Sequence, residues 1–272
     1  KFSRLPSGHP EGVFEAFANI YKAFTETLLR RLNGEKIDRE KLEFPTVENG
    51  AEGVRFIGAC VESSQKDATI KEEAMGRPVT LFTGQWADLP FEEMCELVSE
   101  FGYDGVEVAC WGDHMNVEKA AKDPAYVKEK KRVLAKYNLG CWALGNHLAG
   151  QCVGDPFGDP RLDGFAPKAL AGKSEAIREW GIQQMKYTAQ AAKNMGCYVV
   201  TGFMGSPIWK YFYSFPQTTP KMVEDGYNEI KALWSPILDE FDRCDIKFAL
   251  EVHPSEIAYD YYSAEKLLGV FE

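Results

Sequence analysis

The sequence predicts an α/β protein: a partial (β/α)8 barrel of about five β/α units, preceded by an N-terminal two-helix appendage. Three observations predict it. From Gly76 onward, short apolar runs alternate with longer amphipathic runs, the pattern of parallel strands joined by crossover helices. The residues before that point show helical periodicity alone. A polar, charged stretch, Gln65 to Glu73, separates the two organisations.

In the N-terminal part, Val13, Phe14, Phe17, Ile20, Tyr21, Phe24, Leu28 and Leu29 recur at three- and four-residue spacing and predict a helix over 10–33. Pro10 suits a first helical position, and Asn33-Gly34 supplies the stop. A second helix is predicted over 47–63, with Val54, Ile57 and Val61 on one face. Two helices cannot bury their apolar sides without a further layer, so this part reads as a piece of something larger. The expected division is 1–66 for the helical remnant, 67–77 for a linker and 78–272 for an incomplete barrel domain. The chain opens at Lys1 and stops at Glu272 partway along an amphipathic pattern, and both ends look cut.

Strands are predicted at Val79–Thr83, Gly105–Cys110, Cys141–Gly145, Tyr198–Phe203 and Lys247–His253. Helices are predicted near 91–101, 117–137, 173–195 and 221–242, with another beginning at Ser263. Each carries an apolar stripe, as in Phe91, Met94, Leu97, Val98 and Phe101.

Composition narrows the function. The apolar share is 45% and the mean hydropathy is −0.32, as in ordinary globular proteins. No apolar run approaches the ~20 residues of a membrane span, so no membrane partner is expected and the location is expected to be cytoplasmic. A formal charge of −10 argues against nucleic acid, whose binders carry a basic face. The seven cysteines are scattered and never in C-x-x-C spacing, which fits reduced thiols better than a disulfide framework or a zinc site.

In a parallel barrel the chemistry sits at the C-terminal ends of the strands. Period-two reading puts Phe248, Leu250 and Val252 under the helices and Ala249, Glu251 and His253 inside. It likewise leaves Glu107, Ala109 and Trp111 inside, opposite Val106, Val108 and Cys110, and places Cys141, Ala143, Gly145 and His147 in one row. His114, His147 and His253 all fall just after strands, so a site at these strand ends is expected. Each residue also has a plainer reading. Glu251 could pair with a lysine, Glu107 could sit in an ion pair, and His114 could anchor its own loop. His147 could be a satisfied loop histidine, and His253 could bond a carbonyl of the turn at Pro254. The Gly202–Ser206 loop could cradle a phosphate.

Two resemblances add to this. Ser7-Gly8-His9-Pro10-Glu11-Gly12, Glu15 to Tyr21 and Phe44-Pro45-Thr46-Val47-Glu48-Asn49-Gly50 resemble the C-terminal end of the glucose-fructose oxidoreductase/inositol dehydrogenase family. That family binds its nucleotide upstream, on a Rossmann domain; the chain contains no G-x-G-x-x-G, so no NAD is expected. Gly105 to His114, Gly145 to Gln151, Gly205 to Trp209 and Ala249-Leu250-Glu251-Val252-His253-Pro254 resemble the sugar phosphate isomerase/epimerase family, the xylose isomerase-like TIM barrel. The resemblance implies that Glu251 is a divalent-metal ligand and a catalytic base or acid, with Mg²⁺ or Mn²⁺ as the metal. It further implies an Asp, a His and a second Glu from strands six to eight, beyond this chain. His253, His147, Glu107, His114 and Trp111 are the expected sugar-binding residues. The implied function is a sugar or sugar-phosphate isomerase/epimerase working through an enediolate in the intact parent. A non-catalytic fragment, inactive alone and self-associating through open barrel edges, is the main alternative. An apurinic endonuclease-like nuclease is the other, disfavoured by the lack of basic excess and by only four histidines.

Overall fold

The computed structural model describes residues 13–38, 42, 44, 46, 78–211 and 215–272. The chain divides into two compact units, Lys1–Ala74 and Met75–Glu272. In the first unit, helix α1 spans Val13–Leu32 and ends in Arg30 and Arg31, whose charge suits a helix C-terminus. Phe24 on this helix meets Phe44 edge to face, with ring centroids 5.4 Å apart. The helix predicted over 47–63 and the linker predicted over 67–77 lie outside the described residues.

The second unit is built on a five-stranded sheet, all parallel, in the order β1-β2-β3-β4-β5. The strands are β1 Thr80–Phe82, β2 Gly105–Ala109, β3 Gly140–Gly145, β4 Val199–Gly202 and β5 Lys247–Leu250. The helices are α2 Phe91–Glu100, α3 Val117–Lys122, α4 Pro124–Lys136, α5 His147–Gly154, α6 Ser174–Met195, α7 Pro220–Cys244 and α8 Tyr261–Phe271. Spatial order follows chain order, each strand pairing with the next in sequence across its crossover helix. All five predicted strands are present, each within a few residues of its expected bounds.

Local chemistry sets the boundaries. The predicted helix over 117–137 is two helices, because Pro124 cannot continue the first and holds Asp123 extended at φ −119°, ψ 103°. Asp123 then caps α4 by accepting the Ala125 N–H at 2.8 Å. Gly196, at φ 77°, ends α6 in the left-handed conformation that glycine adopts freely. Asp260 and Ser263 cap the start of α8 reciprocally.

The core lies between sheet and helices. Val106 and Val108 of β2, Leu144 of β3 and Val200 of β4 are fully buried there, with Met185 of α6 and Ile230, Trp234 and Ile237 of α7. Phe248 packs on Trp234 and Phe241, at ring separations of 4.9 and 5.6 Å, so the helix-facing row of β5 is as expected up to Leu250. Val252 lies beyond the strand and is exposed rather than packed under a helix. The predicted single row along β3 is also interrupted. A register shift pairs Cys141 with Val106 but Ala143 with Glu107, so strict alternation fails at Trp142.

Candidate functional site at the strand ends

Because all five strands run the same way, the residues that follow them collect on one side of the sheet. His147, the first residue of α5 after β3, is at the centre. Its ring lies 5.2 Å from that of Phe82, 6.2 Å from Trp111 and 4.7 Å from Phe203, centroid to centroid. Phe203 in turn lies 5.0 Å from His253. Nε2 of His147 is 2.9 Å from Oε2 of Glu251, the residue directly after β5. A carboxylate only accepts, so Nε2 carries the hydrogen of this bond and fixes the ring's orientation. Nδ1 of the same ring is buried without a hydrogen-bond partner.

The backbone explains this convergence. The Glu251 N–H bonds Gly202 O at 3.1 Å, which carries the β4–β5 ladder one residue past the strand and aims the carboxylate across the sheet. Asn146, just before His147, is held by its backbone N–H to Thr201 O at 2.9 Å and by its side chain to Thr188 of α6 at 2.7 Å. Gly145 is required by space. A Cβ there would stand 2.5 Å from the Phe82 ring, 3.0 Å from Glu107 Oε1 and 3.1 Å from Thr201 Oγ1. His147 is 7% exposed, whereas half of the Glu251 side-chain surface is open. The carboxylate is therefore reachable and its partner is sheltered.

Four of the six candidate residues thus come together: Glu251, His147, His253 and Trp111. Glu107 lies one layer lower, inside the sheet as expected, and accepts a hydrogen bond from the Thr201 hydroxyl instead of forming an ion pair. His114 does not join them. It is fully buried, with Nδ1 at 2.9 Å from Thr83 Oγ1 and Nε2 at 3.2 Å from Leu89 O. Both ring nitrogens are used, so this histidine anchors its loop, the plainer of its two readings. Burial pushes its pKa down. Neighbouring Asp113 accepts the Phe91 N–H at the start of α2 at 3.0 Å, and Lys130 Nζ holds the Asp113 carbonyl at 2.7 Å.

The expectation of a phosphate cradle at Gly202–Ser206 is also corrected. The Gly205 N–H is taken by Glu256 Oε2 at 2.7 Å, and the Ser206 N–H by Asp155 Oδ1 at 2.9 Å. Two internal carboxyls already occupy the amides that an anion would need. Sequence reasoning missed both acids, since nothing in their spacing announces that they are buried. It also missed Phe82 and Phe203, whose signal was their place at the ends of apolar runs.

Glu251 offers a hard oxygen donor suited to Mg²⁺ or Mn²⁺. Among the described residues, however, no group of three or more His, Cys, Asp or Glu side chains is arranged to hold a metal ion. Divalent sites of this kind draw on several oxygen ligands, so the described residues do not by themselves fit the metal. The six described cysteines are free. Among the described residues, no helix is long and apolar enough to cross a membrane.

Residues 95–272 match the family model described as xylose isomerase-like TIM barrel. The chain belongs to that family. This xylose isomerase-like barrel chain is similar in fold to solved structures of low identity. One is the 3-keto-D-glucoside 4-epimerase of E. coli, with 13% identity and a TM-score of 0.49 over 71% of this chain and 63% of that one. A D-psicose 3-epimerase from Clostridium cellulolyticum H10, with D-tagatose, shares 13% identity at a TM-score of 0.46, over 72% and 60%. A xylose isomerase-like TIM barrel protein from Mycobacterium smegmatis, in complex with magnesium, shares 14% at 0.46, over 72% and 62%. The chain thus spans about three fifths of the length of these structures. No curated protein sequence matches it significantly.

Proposed function

We propose that this chain is the N-terminal part of a sugar or sugar-phosphate isomerase/epimerase. In the intact parent, Glu251 moves a proton at a carbon next to the substrate carbonyl. The observation that carries the reading is the reachable Glu251 carboxylate bonded to His147, whose own ring is surrounded by Phe82, Trp111 and Phe203. Proton transfer next to a carbonyl needs a positioned base, and a carboxylate oriented by a buried imidazole supplies one. The aromatic rings offer flat apolar faces on which the C–H side of a sugar can rest while its hydroxyls meet polar groups. His253 and Trp111, at the rim, are substrate contacts in this reading, and Glu107 beneath them shapes the floor with Thr201. A divalent metal, Mg²⁺ or Mn²⁺, belongs to this reading only in the intact parent, where it would supply Lewis-acid chemistry. Glu251 is the expected ligand that this chain provides, and the remainder of the shell would come from strands six to eight. The N-terminal helical unit is, in the same reading, a remnant related to an oxidoreductase C-terminal end.

The test is an assay of the chain extended through those strands, with Mn²⁺ and a panel of ketoses and ketose phosphates in D₂O. Epimerised product carrying solvent deuterium is expected, and E251Q should abolish both signals. Full exchange in E251Q would overturn the assignment of the base; no exchange with any sugar would overturn the reaction class. For the chain as it stands, no turnover is expected.

A further inference from the structure

Glu256 is 1% exposed, yet among the described residues no lysine or arginine bonds it. Oε2 accepts the Gly205 N–H at 2.7 Å, while Oε1 is buried without any hydrogen-bond partner. A second buried carboxyl stands beside it. Asp155, at the end of α5, accepts the Ser206 N–H and the Gln151 side-chain N–H through Oδ1, each at 2.9 Å. The two acids stitch three loops together: the end of α5, the loop after β4 and the loop after β5. The Ile257 N–H reinforces the second seam by bonding Gly205 O at 3.2 Å. The same post-β5 loop, folded back through the His253 N–H to Ala258 O at 3.1 Å, begins at Glu251.

A carboxylate in this position would carry a charge with one oxygen unsolvated and a second acid for a neighbour, an arrangement that favours the neutral acid. Among the described residues, the other groups on the elements packed nearby do not supply a cation. Arg178 of α6 gives its guanidinium to the Asp155 carbonyl at 2.9 Å and to Glu229 at 3.4 Å. Tyr227 of α7 spends its hydroxyl on Ile257 O at 3.3 Å. His253, on the same loop, turns Nδ1 to the Pro254 carbonyl at 2.6 Å.

From this geometry we infer that Glu256 is a positioning residue that works as a proton-operated bolt. As the neutral acid it locks the post-β4 loop to the loop carrying Glu251 and His253, and as the carboxylate it loosens that lock. Burial, with the Asp155 charge adding to it, pushes the carboxyl up to about 7 from an ordinary 4.5. A difference of that size corresponds to a protonation preference of about 300-fold. The folded pKa is raised, so the lock is complete below the unfolded value and weakens as pH rises through the folded one. Only the consequence for catalysis rests on reading Glu251 as the site base.

Hydrogen exchange of the whole chain, without substrate or metal, tests the bolt against E256Q. The amide variant keeps an acceptor for Gly205 but cannot ionise. After correction for intrinsic chemistry, peptides covering 203–208 and 251–260 should exchange about tenfold faster in the wild type than in E256Q above the folded pKa, and equally below about pH 5. Peptides from β2 and β3 should not differ. Equal loop exchange in both proteins across the whole range would overturn the inference. If E256Q fails to fold, ¹³C NMR of the Glu256 carboxyl in the wild type decides it. A midpoint near neutrality sustains the bolt, and one below about 5 overturns it. No sugar enters either measurement, so failure here leaves the isomerase reading standing, and failure of that reading leaves the bolt standing.

Discussion

His114 and His147 hold similar places in the sequence pattern, each shortly after a strand, yet their ring nitrogens are used differently. Those of His114 are spent on Thr83 and Leu89, whereas His147 gives one to Glu251 and keeps the other unpartnered. For His114 the consequence is a pH dependence. Its folded pKa lies below the ordinary 6.5, so its contribution is present above that value and is lost as pH falls through the folded pKa. Denaturant midpoints should therefore drop in mild acid in the wild type, and H114Q should flatten that drop. His147 lends itself to a different substitution. H147F fills the space among three aromatic rings while deleting the Glu251 bond, so stability should stay within about 1 kcal/mol by urea titration. Under the proposed function, the same change in a chain extended through the expected further strands should depress kcat, because Glu251 loses its orienting partner.

At the scale of elements, close backbone approach and helix-end charges carry the fold. Helix α5 presses on the post-β4 loop through glycines: a Cβ on Gly150 would meet Phe203 O at 2.0 Å, and one on Gly154 would meet Met204 O at 2.2 Å. G154A should cost about 1–3 kcal/mol in thermal or urea unfolding, because backbone must move to admit a methyl. From the other side, Trp234 of α7 donates its indole N–H to the same Met204 carbonyl at 3.1 Å. At the end of α7, Glu240 is paired with Arg243 and accepts from Gln190 of α6 at 2.6 Å. Arg243 is the main cause that lowers its carboxyl to about 2. The contribution is therefore present above the unfolded value of 4.5 and lost as pH falls towards the folded one. Arg243 is largely exposed, so solvent screening holds it to about 1 kcal/mol, which E240Q should remove at neutral pH.

At the scale of the molecule, five parallel strands bring one carboxylate, two histidines and three aromatic rings to one side of a sheet. A lone accessible carboxylate is a weak metal ligand. Calorimetric titration of this chain with Mn²⁺ should give a dissociation constant weaker than about 1 mM, and tight binding of one equivalent would contradict the single-ligand reading. Under the proposed function, a chain extended through strands six to eight should bind at least tenfold more tightly, and E251Q should reverse most of that gain.

The strand–helix alternation, the helix-facing residues Val106, Val108 and Phe248, and the placing of Glu251 near the top of the fifth strand run were legible in the sequence, although β5 ends at Leu250, one residue before it. Periodicity and strand ends are local properties, written in the spacing of apolar residues. The division of the helix at Pro124 was local too, though it takes an explicit weighing of proline against the amphipathic pattern that continues through it. What only the tertiary structure decided is pairing across the chain. Thr83, 31 residues away in sequence, fixed His114 as an anchor, and Glu251, 104 residues away, singled out His147 as its partner. The interrupted row of β3 came from its register with β2. The burial of Glu256 and Asp155 behind the post-β4 amides came from three loops closing on one another. Spacing within a segment fixes which face a residue takes. Which partner waits on that face, and whether water reaches it, depends on segments that meet only when the sheet assembles.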